Sequence, residues 1–204
     1  MPEELQTLRS RMKANAQLLL VLLAVMLAIE VIDWLTPAVL DNFGIHPRRL
    51  RSLPAIFVAP FLHSGFSHLL ANAIPFFMLG WLILLRGRRE FVIVSLVSAV
   101  VSGATVWLLG TEDSVHIGVS GVVFGYFGFL IARGVFDRTF GAMIIALVVG
   151  VLYSGLLWGL LPLWPGISWQ GHLGGMIGGV LCGFLLARGT NVRFLRRASE
   201  PSKA

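Results

Sequence analysis

Apolar residues fall in six long runs along the chain, parted by short stretches where Arg, Gly and Pro gather. The first runs from about Ala16 to Leu35, the second from Ser67 to Leu85 and the third from Phe91 to Leu109. A shorter fourth begins at Ser120 and ends at Ala132; the fifth spans Phe140 to Leu161 and the sixth Gly171 to Ala187. A helix needs roughly 20 mostly apolar residues to cross the hydrocarbon of a bilayer. Backbone polar groups in lipid must be satisfied within their own segment, so such runs are expected to be helices. The pattern predicts an all-α membrane protein, a bundle of six transmembrane helices. Residues 1–15 are expected to form a cytoplasmic N-terminal segment, 16–190 the membrane domain, and 191–204 a basic tail without fixed structure.

Composition supports lipid as the solvent. The chain of 204 residues is 56% hydrophobic and only 13% charged, with a mean hydropathy of +0.84, where a soluble domain carries about 25% charged residues. The formal net charge of +6 raises nucleic acid as a partner. Its distribution argues for membrane topology instead. With the N-terminus placed in the cytoplasm, all 16 Lys and Arg fall on that side except Arg48, Arg49 and Arg51, as the positive-inside rule requires. Both termini are therefore expected in the cytoplasm. The first external loop, about Thr36 to Phe66, carries those three arginines amid apolar residues and is expected to lie in the membrane interface. The first apolar run is too long for a secretory signal, and no small-residue cleavage site follows it. The single cysteine, Cys182, excludes an intrachain disulfide and reads as a small buried residue.

Three places break the apolar pattern, all at external ends of runs: His63 to Asn72, Gly118-Val119-Ser120-Gly121, and Gly171-His172-Leu173-Gly174-Gly175. Polar groups in a membrane are costly and mark function. His63 and His68 are five apart, about 140° around a helix, which does not suit a helical metal site with i,i+4 spacing. His68 and Asn72 are four apart and share a face. Ser120 opens the fourth run, where a helix start offers unpaired N–H donors and favours negative charge. An N-cap explains such a serine as well as catalysis does. His172 is open to a second reading too, as a hydrogen-bonded histidine joining helices. Glycines at 171, 175, 179 and 183 face a matching pair at 121 and 125, and small residues at this spacing let helices touch. That contact would bring Ser120 to His172, the minimum for nucleophilic catalysis. No Asp or Glu lies near His172, so the pair is expected to be a dyad. Glu30 and Asp33 are expected to snorkel to the outer interface, and Glu112, Asp113 and His116 to sit in a solvated loop. If Arg133 marks the cytoplasmic edge, Ser120 lies on the order of 10 Å below the outer surface, and hydrolysis there needs a water-filled cavity.

These motifs, in this order on the second, fourth and sixth runs, resemble the rhomboid family of intramembrane serine proteases from about Leu53 to Arg188. The resemblance implies Ser120 as nucleophile, His172 as general base, and an oxyanion site of the Ser120 N–H with His68 and Asn72, lined by Gly118. It implies supporting roles for His63, for Phe124 stacked on the histidine, and for Gly175 and Gly179 packing helix six on helix four. It implies cleavage of transmembrane or membrane-proximal segments of other proteins, preferring small residues before the scissile bond and a substrate helix that unwinds readily. It implies a place in the cell membrane with the site open to the outside, and no metal or cofactor. Two departures are visible: the Trp-Arg pair often found in the first loop is replaced by Leu53-Pro54-Ala55, and a glutamate often found in helix two by Leu84. The rivals are a non-catalytic escort protein of the same fold, which would usually lack the serine or histidine, and a transporter, which would favour inverted repeats.

Overall fold

A computed structural model describes residues 3–36 and 39–198. It is helical throughout: α1 is Glu3–Leu35, α2 Phe66–Arg86, α3 Arg88–Leu109, α4 Ser120–Asp137, α5 Phe140–Leu152 and α6 Trp169–Ala198. Five helices are long and apolar enough to cross a membrane, and six if α5 and the turn after it count as one span. Among the described residues the only β pairing is one bridge between Ile45 and His116.

The structure adds detail to these element boundaries. Helix α1 is continuous from Glu3 through the first apolar run. The sixth helix runs on to Ala198, and the rest of the expected tail, 199–204, lies outside the described residues. The fifth run is broken: α5 stops at Leu152, and a 3₁₀ segment, Ser154–Leu160, leaves at 64°. Glycines at 150, 155 and 159 weaken the helix here, and Pro162 and Pro165 cannot continue it.

Helix α4 is the spindle of the bundle, with every residue from 121 to 130 buried. Its glycines set how closely the neighbours approach. A Cβ added at Gly175 of α6 would fall on the Gly121 carbonyl oxygen, and one at Gly179 on the Gly125 carbonyl oxygen. On its other flank, Ser98 and Ser102 of α3 occupy the space beside Gly125 and Gly121. The Ser102 hydroxyl donates to the Gly171 carbonyl at 2.8 Å, joining α3 to α6. Apolar side chains such as Leu20 of α1, Val92 of α3 and Leu147 of α5 point outward, where lipid removes the cost of exposing them.

Charged groups close the end of the bundle at the C-terminus of α4. Arg86 reaches Asp137 at 2.7 Å and Glu90 at 3.0 Å, and Arg133 reaches Asp137 at 2.9 Å and Glu90 at 3.8 Å. Arg133 is thus buried in an ion-pair quartet joining α2, α3 and α4 rather than standing free at an edge. Glu30 and Asp33 also differ from expectation. They do not snorkel outward but are 3% and 6% exposed, because this side of α1 packs on the first loop. Asp33 accepts the Leu40 N–H at 2.7 Å, and the Glu30 carboxylate faces the Gly65 N–H.

Candidate active site

At the end of the bundle opposite the ion-pair quartet, the first residue of α4 and the first turn of α6 meet. His172 Nε2 lies 2.9 Å from Ser120 Oγ. Helix α6 begins at Trp169, so its first turn aims the imidazole across the Gly121–Gly175 contact. The ring of Phe124, one turn into α4, stacks on it at 4.1 Å between centroids and 8° between planes. The other ring nitrogen, Nδ1, lies 2.8 Å from the Gly159 carbonyl oxygen in the 3₁₀ segment after α5.

Ser120 stands first in α4, so its N–H is among the donors a helix start leaves free of intrahelical partners. The loop before it is held from two sides. The Gly118 N–H donates to the Ala59 carbonyl at 2.8 Å, and the Val119 N–H donates to His63 Nε2 at 3.4 Å. Gly118 has φ +111°, and a Cβ there would stand 3.0 Å from His68 Nε2. This glycine therefore makes room for His68, while its own N–H is spent on the first loop. His63 is 1% exposed, and burial pushes it down to about 4. A neutral imidazole is what the Val119 N–H needs as an acceptor.

His68 and Asn72 project from the first turns of α2. The Ser64 N–H points at His68 Nδ1 from 3.4 Å. An N–H can only donate, so Nδ1 accepts, the ring proton sits on Nε2, and Nε2 turns toward Gly118 and Ser120. Asn72 donates one amide hydrogen to the His68 carbonyl at 3.0 Å and keeps the other. Both line, with Ser120 and His172, a cavity of about 1010 Å³ whose outer wall is the stretch from Gly155 to Gln170.

The structure brings together Ser120, His172, His68, Asn72, Gly118 and Phe124, and sets His63, Gly175 and Gly179 directly behind them. Sequence reasoning missed three contributors. His116, assigned to a solvated loop, is half-buried; its Nδ1 lies 2.7 Å from Ser168 Oγ and its Nε2 2.8 Å from Ser114 Oγ, and burial lowers its pKa. Ser168 in turn accepts the His172 N–H on its carbonyl at 3.0 Å. His116 stands two residues before Gly118, a position that would have marked it. Gly159 carries no comparable signal, since it acts through its backbone, and Ser64, whose N–H and Oγ both lie near His68 Nδ1, has only an ordinary loop serine to show. Among the described residues no group of three or more His, Cys, Asp or Glu is placed to hold a metal.

Comparison with known proteins bears on the family. A family model for the rhomboid domain matches residues 51–189. An uncharacterized protein of Mycobacterium tuberculosis is 37% identical over 210 residues, covering 98% of this chain and 88% of the relative. A Bacillus subtilis protein, YdcA, named as a candidate rhomboid protease, is 28% identical over 135 residues, 65% of this chain and 67% of its own. RHOMBOID-like protein 7 of Arabidopsis thaliana is 32% identical over 128 residues, 61% of this chain and 40% of its own. The family model covers well over half of the sequence, and on that ground the chain belongs to the rhomboid family.

Proposed function

We propose that this protein is an intramembrane serine endopeptidase that cleaves transmembrane or membrane-proximal segments of other membrane proteins. The observation that carries the proposal is the 2.9 Å approach of Ser120 Oγ to His172 Nε2 at the floor of a cavity holding polar donors. Neutral His172 takes the Ser120 proton as Oγ attacks the scissile carbonyl. The oxygen that becomes negative is met by the Ser120 N–H, His68 Nε2–H and the free Asn72 amide hydrogen, donors fixed before the charge develops. His172 then passes the proton to the leaving amine, the C–N bond breaks, and Ser120 is left as an ester. Water, deprotonated by the same imidazole, hydrolyses the ester and frees the serine.

The distribution of Lys and Arg supports an orientation with both termini in the cytoplasm and the cavity on the external face of the cell membrane. The inner ion-pair quartet and the outer cavity, at opposite ends of α4, agree with that orientation. Purified protein in nanodiscs should cut a tagged model transmembrane substrate, and Ser120→Ala should abolish the cut while keeping the wild-type melting temperature. Substantial turnover by folded Ser120→Ala would overturn the proposal.

A further inference from the structure

Catalytic histidines are commonly oriented by a carboxylate on the nitrogen that does not face the nucleophile. Here that nitrogen, His172 Nδ1, faces the Gly159 carbonyl at 2.8 Å. A carbonyl oxygen can only accept, so Nδ1 must carry the proton and Nε2 presents its lone pair to Ser120. The ring is further confined by Phe124 on one face. Gly159 touches both rings: a Cβ there would stand 2.9 Å from Phe124 Cζ and 3.1 Å from His172 Nδ1. Position 159 therefore has no space for a side chain if its carbonyl is to reach the imidazole.

We propose that Gly159 is the positioning residue of the dyad, its backbone carbonyl holding His172 in the Nδ1–H tautomer. The inference rests on the assignment of Ser120 and His172 as the catalytic pair. It places the orienting group not on the glycine-packed core but on the 3₁₀ segment that walls the cavity, downstream of the break in the fifth span. The wild-type tautomer sets whether Nε2 is a base or a donor. With the proton on Nε2, the imidazole has nothing with which to take the serine proton.

The test is ¹⁵N NMR of histidine-labelled full-length protein in nanodiscs at neutral pH, with His172→Asn identifying the resonances of interest. His172 should show a protonated Nδ1 and a bare Nε2. Gly159→Ala should lose that fixed signature and average the two tautomers. Its kcat should fall about 10- to 100-fold, in keeping with the cost of roughly 1 Å of misplacement, with KM within about twofold of wild type. Gly141→Ala, at the opposite end of the fifth span with nothing within 4 Å of the added Cβ, should match wild type in spectrum and rate. A wild-type His172 protonated on Nε2, or a folded Gly159→Ala that keeps the wild-type spectrum, would overturn the proposal. If Gly159→Ala does not fold, the wild-type spectrum decides alone. The spectrum is recorded without substrate, so failure of the tautomer assignment is separable from failure of the protease reading.

Discussion

Helices α5 and α6 both flank α4, and they do so in opposite ways. Against α6, backbone meets backbone: the positions of Gly175 and Gly179 are filled by the carbonyls of Gly121 and Gly125. Against α5, close approach is confined to the end near Gly134, where an added Cβ would fall on Ala146; toward Ser120, contact runs through side chains. Gly150 has 3.4 Å of clearance to Ile131 Cδ1, Leu147 and Val151 are exposed, and the helix ends at Leu152 in a 64° turn. Ser120 Oγ and His172 Nε2 sit on the close pair, while the Gly159 carbonyl sits on the segment that follows the loose one. Distances that must hold to fractions of an ångström are set by glycine contacts, and the part of the wall that a substrate would meet is built from a broken helix.

The largest expected effect tests the close side at its reacting end. His172→Ala should lose at least about 10³-fold in turnover, and Ser120→Ala/His172→Ala should be no worse, because nucleophile and base act as a unit. Additive losses in the double variant, read from cleavage rates, would break the unit. His68→Ala and Asn72→Ala should each lower kcat about 10²–10³-fold with little change in substrate binding. A melting temperature that fell in step with the rate would make them mere packing.

A smaller effect separates the two flanks directly. Gly179→Val must push α6 off the Gly125 carbonyl, and overpacking of this kind costs about 1–3 kcal/mol. It should lower both melting temperature and cleavage rate, the latter about 10²-fold. Gly150→Ala on the α5 flank adds only an ordinary contact and should leave both nearly unchanged. Equal damage by the two substitutions would erase the contrast between the flanks. The weakest signal concerns acid. His63 has its ordinary value of 6.5 lowered to about 4 in the fold, so between those limits the unfolded chain binds more protons than the folded one. Its contribution to stability is complete above 6.5 and is lost as pH falls toward 4. Melting temperature should therefore drop through that window, and less steeply in His63→Gln.

Much of this was legible in the residue pattern. Ser120, His172 and the glycines spaced by four stand out because small and polar residues are expensive to keep in an apolar helix without a use. Five of the six runs became helices long enough to cross a membrane and the fifth a bent pair, because hydropathy reports what a segment is immersed in. The same measure is blind to direction, so the break after Leu152 stayed hidden inside a run that is apolar from Phe140 to Leu161. Glu30 and Asp33 were misassigned because a carboxylate near a helix end looks alike whether it faces headgroups or a folded loop. Gly159 left no trace at all, since every residue has a carbonyl and only the fold selects which one meets an imidazole.

The cavity beside Ser120 has a capacity as well as a chemistry. A spanning helix of about 20 residues, a cylinder 10–12 Å wide and 30 Å long, fills roughly 2,400–3,400 Å³. The cavity, at about 1010 Å³, is smaller than that. Under the proposed function, a short stretch of a client would reach Ser120 while the rest stays in lipid. In hydrocarbon each backbone group freed from its helix costs several kcal/mol, whereas the cavity offers His68 and Asn72 as polar partners. Under the proposed function, clients would be sorted by the local strength of their own helices, and turnover would follow how often a client frays rather than how tightly it is gripped.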